Sequence, residues 1–192
     1  MPEFRIGGLG GIAVAKLDSD SDVDLVYTRA ESAYRAPGLM RALNDGTGDF
    51  LPFSSPPTDV TGAGAITAAD FDDDAATDVA YVVDDGRVAT QFGTGAASFS
   101  SIEWLDTLPS PVEIVSADVS ADGVIDLVVG YTDEQFVSIF PGTGDGFGAR
   151  QDIPTAIPVG HLALGDFNGD GVPDLFGFEI RGEDIVVLLS TP

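Results

Sequence analysis

Hydrophobic and polar residues alternate in short runs along most of the chain, and these runs flank a series of acidic loops. Examples are "GIAVAKL" and "DLVYT" around the first loop and "EIVSADV" and "DLVVGY" around the third. Further runs such as "VATQF" and "VSIF" follow, and extended pieces such as "SFSSIEWL" come after glycine-rich turns. Short alternating runs bounded by turn residues are typical of β-strands. We therefore predict four short strands in each period of about 48 residues and no helix of useful length.

Two landmarks recur with the same period. An aspartate opens the second apolar run of each unit at Asp24, Asp78, Asp126 and Asp174, at intervals of 54, 48 and 48 residues. A Gly-Thr-Gly turn followed by phenylalanine recurs in "DGTGDF", "FGTGAASF" and "PGTGDGFG". Internal repetition of this length predicts repeated structural units. We place four repeats at approximately residues 1–53, 54–102, 103–150 and 151–192.

The repeat length predicts the fold. One four-stranded sheet per repeat of 40–50 residues is typical of a β-propeller blade. We predict an all-β protein, a single β-propeller domain of four four-stranded blades spanning residues 1–192.

The two ends of the chain leave three arrangements open. The chain ends at "IVVLLSTP", before the turn and outer strand expected of the fourth repeat, and it starts with "PEFRIGG", which is placed like an outer strand. The starting segment is expected to complete the last blade and so cover its open edge. Completion within one chain gives a closed four-bladed ring, and exchange between two chains gives a homodimer with an eight-bladed ring. The third alternative is a fragment of a longer propeller.

The acidic loop "DFNGDGVPD" of the fourth repeat places oxygen ligands at alternate positions. Counted from its first residue, Asp166, Asn168 and Asp170 occupy positions 1, 3 and 5, the Val172 carbonyl lies at 7 and Asp174 at 9. Glycine at position 6 allows a sharp bend. This order parallels the first half of an EF-hand loop, and Ca²⁺ takes six to eight such oxygens. Aspartates that only hydrogen-bond their own backbone are the alternative explanation.

This loop between two strands, repeated with a glycine-rich turn and phenylalanine after it, resembles the FG-GAP/VCBS repeats of integrin α-subunits and many bacterial surface proteins. The resemblance covers essentially the whole chain and implies Ca²⁺ between the first two strands of each blade. Carried over to the third loop, it implies the ligands Asp118, Ser120, Asp122, the Val124 carbonyl and Asp126. In the second loop it implies Asp70, Asp72, Asp74, the Ala76 carbonyl and Asp78, with Ala75 in place of the bend glycine. In the first loop it implies Asp18, Asp20, Asp22 and Asp24.

Lys16 stands at position 1 of the first loop, so we expect three Ca²⁺ sites and treat the fourth as uncertain. In one interpretation the Lys16 ammonium folds among Asp18, Asp20 and Asp24 and replaces the divalent ion. In the other, the loop slips by two residues, Asp18 becomes the first ligand and Lys16 points outward. The hydrophobic pattern favours the first interpretation, because a slip would displace the strand residues.

Composition narrows the function. The 32 acidic residues outnumber the 8 basic ones and give a formal charge of −24, which argues against nucleic acid or an anionic membrane surface as partner. Bound cations would offset this charge, and solubility is the simpler explanation for it. The chain has no cysteine, which excludes disulfides and thiolate chemistry. No apolar run is long enough to insert in a membrane, and no signal-peptide pattern is present in this sequence.

Five further aromatic or basic residues, which lie outside the acidic loops, are candidates for specific contacts. The single histidine, His161, is expected to be packed or capped on a strand, with a catalytic base as the alternative. Trp104 is expected to pack in the core or between blades, with a sugar-stacking platform as the alternative. Tyr34 is a similar stacking candidate. Arg29 and Arg35 make the inserted segment "RAESAYRAPG" locally basic, which suggests a contact surface.

Together with these features, the resemblance to the FG-GAP/VCBS repeats implies a calcium-binding, non-catalytic binding or adhesion module of an extracellular or cell-surface protein, with a protein or glycan as ligand. A carbohydrate-binding lectin is the first alternative. A secreted enzyme, or a domain attached to one, is the second. No phosphate loop or nucleophile elbow supports an enzyme.

Overall fold

The computed structural model describes residues 8–29, 37–54, 60 and 62–191, and within these ranges the regular structure consists of fifteen strands. Their bounds are β1 Leu9–Ala15, β2 Asp24–Arg29, β3 Gly38–Asn44, β4 Phe50–Ser54, β5 Ala63–Ala69, β6 Asp78–Val83, β7 Arg87–Gln91, β8 Glu103–Asp106, β9 Pro111–Ala117, β10 Asp126–Tyr131, β11 Phe136–Phe140, β12 Gln151–Pro154, β13 His161–Gly165, β14 Asp174–Phe178 and β15 Ile185–Leu188. The described residues contain no helix that could cross a membrane. The predicted all-β class is confirmed.

The described strands form four antiparallel sheets, and the strands of each sheet pair in chain order. The sheets are β1-β2-β3-β4, β5-β6-β7-β8, β9-β10-β11-β12 and β13-β14-β15, here called sheets 1 to 4. Four strands per sheet, as predicted, are found in sheets 1 to 3, whereas sheet 4 has three described strands. The outer strands β8 and β12 begin just after the approximate repeat bounds at residues 102 and 150, and they pair with β7 and β11 of the preceding units.

The first two strands of every sheet share one register. The last residue of the first strand lies opposite the aspartate that opens the second strand. The four pairs are Ala15 with Asp24, Ala69 with Asp78, Ala117 with Asp126 and Gly165 with Asp174. A slip by one residue would reverse which side chains face the core. Lys16 therefore stands where the other loops have their first aspartate, and the two-residue slip considered above does not occur.

The sheets stack face to face in chain order, with β1 against β5, β5 against β9 and β9 against β13. Side chains of a strand alternate between its two faces, so an inner sheet contributes to a core on each side. In β6, Val79 and Tyr81 pack in the core shared with sheet 1, whereas Ala80 and Val82 pack in the core shared with sheet 3. A third core lies between sheets 3 and 4 around Val128. This is the arrangement of successive propeller blades.

The described residues do not close this stack into a ring. The contact that joins successive first strands has no counterpart of similar extent between β13 and β1, and none of the three described cores joins sheet 4 to sheet 1. The segment "PEFRIGG", predicted to complete the last blade, lies outside the described residues except for its final glycine. Ring closure thus stays a prediction.

In the described part of the chain, the interface between sheets 3 and 4 lacks the aromatic contact that is present between sheets 2 and 3. Phe147, from the Gly-Thr-Gly turn of the third repeat, meets Phe71 of the second repeat edge to face, with ring centroids 5.2 Å apart. In the third repeat, Val119 stands at the position equivalent to Phe71. A largely apolar cavity of about 260 Å³ lies between Val119 and residues 188–191. The described part of the fourth repeat has no turn in this place.

Candidate metal centres

Each acidic loop joins the first two strands of its sheet. In the second, third and fourth repeats the loop begins one residue after the first strand, at Asp70, Asp118 and Asp166. It ends at the aspartate that opens the second strand. Because the hairpin register is the same, the loops have nine residues in each case, and the predicted ligand positions correspond one to one.

The closing aspartate of each loop is fully buried, and its two oxygens are used by backbone donors. In the second repeat, Asp78 Oδ2 accepts a hydrogen bond from the Phe71 amide and Oδ1 accepts one from the Gly93 amide, both 2.6 Å long. The same pair of bonds recurs at Asp24 from Leu17 and Asn44, at Asp126 from Val119 and Gly142, and at Asp174 from Phe167 and Ser190. A charged acceptor makes such bonds strong. The aspartate therefore ties the acidic loop to the chain that leaves the third strand.

This second role of the closing aspartate was not predicted from the sequence. Its donors Gly93 and Gly142 are the first glycines of their Gly-Thr-Gly turns, 15 and 16 residues after the aspartate. The signal was present in the nearly equal spacing of the two landmarks in the second and third repeats. Only the pairing of the third strand shows that the two landmarks meet.

The turn geometry is the same in the second, third and fourth loops. Position 4 is left-handed at Asp73, Ala121 and Gly169, and position 6 is left-handed at Ala75, Gly123 and Gly171. Glycine adopts this conformation without steric cost, and alanine does not. Ala75 has φ of +66°, so the second loop keeps the bend despite the substitution. This strain agrees with the expectation from the sequence.

Hydrogen bonds inside these loops also follow one plan. The carboxylate at position 1 accepts from the amide at position 6, as Asp118 does from Gly123 at 2.9 Å and Asp166 from Gly171 at 3.0 Å. The carboxylate at position 5 accepts from the amide at position 7. These pairs are Asp74 with Ala76, Asp122 with Val124 and Asp170 with Val172. The aspartates do hydrogen-bond their own backbone, and each carboxylate oxygen has further lone pairs that can bind a cation.

Position 3 distinguishes the three loops. Asn168 donates from Nδ2 to Asp170 Oδ2 at 2.9 Å, and Ser120 Oγ lies 3.5 Å from Asp118 Oδ1. Both are neutral ligands. In the second loop the residue is Asp72, and carboxylate oxygens of Asp70, Asp72 and Asp78 all lie within 4.8 Å of one another.

Among the described acidic residues, the cluster of Asp70, Asp72 and Asp78 in the second loop has the strongest evidence of charge repulsion that a cation would relieve. Burial raises the pKa of Asp78 to about 6, and the nearby charges of Asp72 and Asp70 add to this. Burial and the charge of Asp74 also raise the pKa of Asp72. The Asp72 Oδ1 atom is buried and has no hydrogen-bond partner among the described residues. Close carboxylates repel one another, and a hard cation with oxygen ligands removes that cost. The donor set fits Ca²⁺.

The first loop differs from the others. Within residues 16–24, all of which are described, no residue has positive φ, so the bends at positions 4 and 6 are missing. Asp20 donates its amide to Asp18 Oδ1 and Asp22 donates its amide to Asp20 Oδ1, which makes two successive aspartate turns. Among the described residues, only Asp70, Asp72 and Asp78 of the second loop bring three carboxylates within 4.8 Å of one another, so the predicted ligands of the first loop are not gathered in this way.

The predicted insertion of the Lys16 ammonium among the carboxylates is wrong. Lys16 is exposed, and within the part of the chain that the structure describes its side chain makes no ion pair. Asp24, one of the three expected partners, is buried and already bonded to two backbone amides. An ammonium in water keeps its hydration, which a weak surface ion pair does not outweigh.

The other residues considered have ordinary or exposed surroundings. His161 Nδ1 lies 3.6 Å from Glu113 Oε2, and its ring packs on Phe178 with centroids 4.7 Å apart. Trp104 is not packed between sheets, because it lies on the outer strand β8 and is partly exposed. The guanidinium carbon of Arg87 lies 3.8 Å from its ring centroid, and Arg87 also pairs with Asp85. Arg29 ends β2, whereas Tyr34 and Arg35 lie outside the described residues.

Comparison with known proteins agrees with this fold. Residues 118–177, which run from the third acidic loop through the fourth, match the family model described as FG-GAP-like repeat. The resemblance stated from the sequence is thereby confirmed over residues 118–177. No curated protein sequence matches the chain.

Two solved structures share the architecture. A lectin of Agrocybe aegerita, described as recognising non-reducing terminal N-acetylglucosamine, is 17% identical with a TM-score of 0.63. The match covers 86% of this chain and 46% of the lectin chain, so this chain spans less than half of that protein. BBS1N, described in complex with ARL6DN, is 13% identical with a TM-score of 0.50, and the match covers 100% of this chain and 68% of that one. At these identities the likeness concerns the fold alone.

Proposed function

We propose that this chain is a calcium-stabilised, non-catalytic binding module that acts outside the cell. The observation that carries the proposal is the cluster of the Asp70, Asp72 and Asp78 carboxylates, in which the buried Oδ1 of Asp72 has no hydrogen-bond partner among the described residues. The third and fourth loops have the same backbone turn, with neutral Ser120 and Asn168 at position 3. Three bound Ca²⁺ ions would also offset part of the formal charge of −24.

The proposed role of the ion is structural. Each closing aspartate joins its loop to the chain at or just after the end of the third strand, so a cation at the loop would fix three strands of a blade at once. The ion would supply charge neutralisation and a rigid loop. The proposed role of the chain is not catalytic. Its blade edges and loops would bind a protein or glycan ligand.

The proposed extracellular setting rests on the affinity that we expect. Each of the three loops offers four side-chain ligands and one carbonyl, and we expect it to bind Ca²⁺ as weakly as extracellular modules do, with Kd of about 10⁻⁴ to 10⁻³ M. Such sites are filled where calcium is abundant, as it is outside cells. A measured Kd below the micromolar range would contradict this part of the proposal.

Thermal unfolding tests the structural role of calcium. We expect EDTA to lower the Tm, and calcium to restore it, by far more than an equal ionic strength of NaCl, because binding to the folded state alone stabilises it. Asp72→Asn should reduce the calcium effect. Asp133→Asn, an exposed residue outside the loops, is the control with the same change of charge. If EDTA leaves the Tm unchanged, calcium has no structural role.

Titration calorimetry counts the ions. We expect three per chain, because the first loop has Lys16 at position 1 and lacks the left-handed bends. The double variant Lys16→Asp/Ser21→Gly places a carboxylate at position 1 and a glycine at position 6 and should bind a fourth ion. Four ions in the unmodified protein would show that the first loop binds despite Lys16.

Glycan binding is the second candidate function. The Agrocybe aegerita lectin with this architecture is described as recognising terminal N-acetylglucosamine. On the present chain, partly exposed Trp104 offers an aromatic ring on an outer strand, with one side held by Arg87. Aromatic rings of this kind pack against sugar faces. A glycan array probed in calcium would support this candidate if Trp104→Ala abolished a signal that Leu51→Ala left intact, and an array without any signal would remove it.

A further inference from the structure

The two ends of the sheet stack expose opposite faces. We call the face that a sheet turns to the preceding sheet its leading face, and the opposite one its trailing face. By the shared register, Ile12, Ile66 and Ile114 are equivalent residues on the leading faces of sheets 1, 2 and 3. Ile66 and Ile114 are buried against the sheet before them, whereas Ile12 is 46% exposed. Val14, two residues further along the same strand, is 65% exposed.

The trailing face of sheet 4 is exposed in the complementary way. Phe167 is equivalent to Phe71, and it is 56% exposed where Phe71 is 1% exposed. On β14 and β15, Phe178 lies opposite Ile185, and both are exposed. Val187, on the same face as Ile185, is also exposed. The neighbouring Val186 and Leu188 point the other way and pack against sheet 3.

These two faces have the character of an inter-sheet interface. Within the chain, the trailing face of each sheet packs on the leading face of the next, through apolar residues at these same positions. In a chain with a charge of −24, both faces carry several exposed apolar side chains, and exposed His161 packs its ring on Phe178 of the trailing face. Exposed apolar patches of this kind mark interaction sites.

We propose that a second copy of the chain covers both faces, so that two copies pack head to tail into one closed ring of eight sheets. The trailing face of sheet 4 in each copy meets the leading face of sheet 1 in the other, which gives two identical contacts. Each contact continues the sheet-on-sheet packing already present three times within the chain. A head-to-tail contact that closes forms a ring, whereas one that does not close forms an open filament.

Light scattering in calcium-containing buffer tests the assembly. The expected mass is twice 19.8 kDa. A mass of 19.8 kDa at every concentration would overturn the proposal. A series of species that grow with concentration would also overturn it, because such a series indicates an open filament and not a closed ring.

Two variants identify the faces. Val14→Asp places a charge on the leading face and Ile185→Asp places one on the trailing face, and each alone should halve the mass. Both residues are exposed in the single chain, so each variant should keep a cooperative melt and a β-type circular dichroism spectrum. Dissociation by only one of the two would contradict head-to-tail packing, because a contact between identical faces needs only one of them.

Leu51→Asp is the matched control. Leu51 is 63% exposed, the same fraction as Ile185, but it lies on β4 opposite Leu43, which packs toward sheet 2. It belongs to neither uncovered face. The Leu51→Asp variant should therefore still show, by light scattering, twice the mass of one chain. Loss of assembly in this variant as well would mean that a general surface charge effect, and not these faces, governs association.

Discussion

Asp126→Asn is the substitution that most directly tests how the repeat is held together. Asp126 is fully buried, and its Oδ2 accepts hydrogen bonds from the amides of Val119 and Ser120 at 3.0 and 3.1 Å. Its Oδ1 accepts one from Gly142 at 2.8 Å. An asparagine has the same shape but a single acceptor oxygen. Its NH₂ group must then face at least one of these backbone donors.

The expected loss follows from the donors left without an acceptor. A buried donor without a partner costs about 1–3 kcal/mol, and hydrogen bonds to a charged acceptor are at the upper end. With one or two donors affected, we expect the free energy of unfolding to fall by about 2–4 kcal/mol. For a chain of this length, that corresponds to a Tm lowered by about 5–15 °C.

Urea unfolding in EDTA and in calcium separates the two roles of Asp126. The loss in EDTA reports the backbone hydrogen bonds alone, and any additional loss in calcium reports its predicted role as a ligand. Asp133→Asn removes the same charge from an exposed site and should change stability by less than about 0.5 kcal/mol. A loss below about 1 kcal/mol for Asp126→Asn in EDTA would refute the structural role, because even one orphaned donor costs that much.

Two further predictions concern pH and packing. Burial raises the pKa of Asp78 to about 6, above its value of 3.8 in the unfolded chain, so the folded state binds this proton more tightly. In EDTA, stability should therefore fall as pH rises from about 4 to 6, and Asp78→Asn should flatten that fall; identical pH profiles in urea unfolding would contradict it. Phe71→Ala should cost about 3–5 kcal/mol, because Phe71 is buried between two sheets. The equivalent Phe167→Ala should cost far less in a chain kept monomeric by Val14→Asp, and equal losses would contradict the difference in packing.

The sequence determined the local structure of the repeat. Strand alternation, the nine-residue acidic loops and the Gly-Thr-Gly turns could be read directly, because side-chain alternation and turn residues act within a few positions. The register around Asp24, Asp78, Asp126 and Asp174 was also predictable from the hydrophobic pattern. The same local reasoning identified Ala75 as a strained substitute for glycine.

The tertiary structure decided what depends on distant segments. The bond from Asp78 to Gly93 exists because the third strand brings that turn beside the loop. The exposure of Lys16 and the contact of Trp104 with Arg87 could not be read from the sequence, since each depends on where a long side chain finds water or a neighbouring strand. Ile12 and Ile66 occupy equivalent positions, and only the stacking of sheets leaves one exposed and the other buried. A repeat specifies the face it presents, but the neighbour that covers this face is set by the whole assembly.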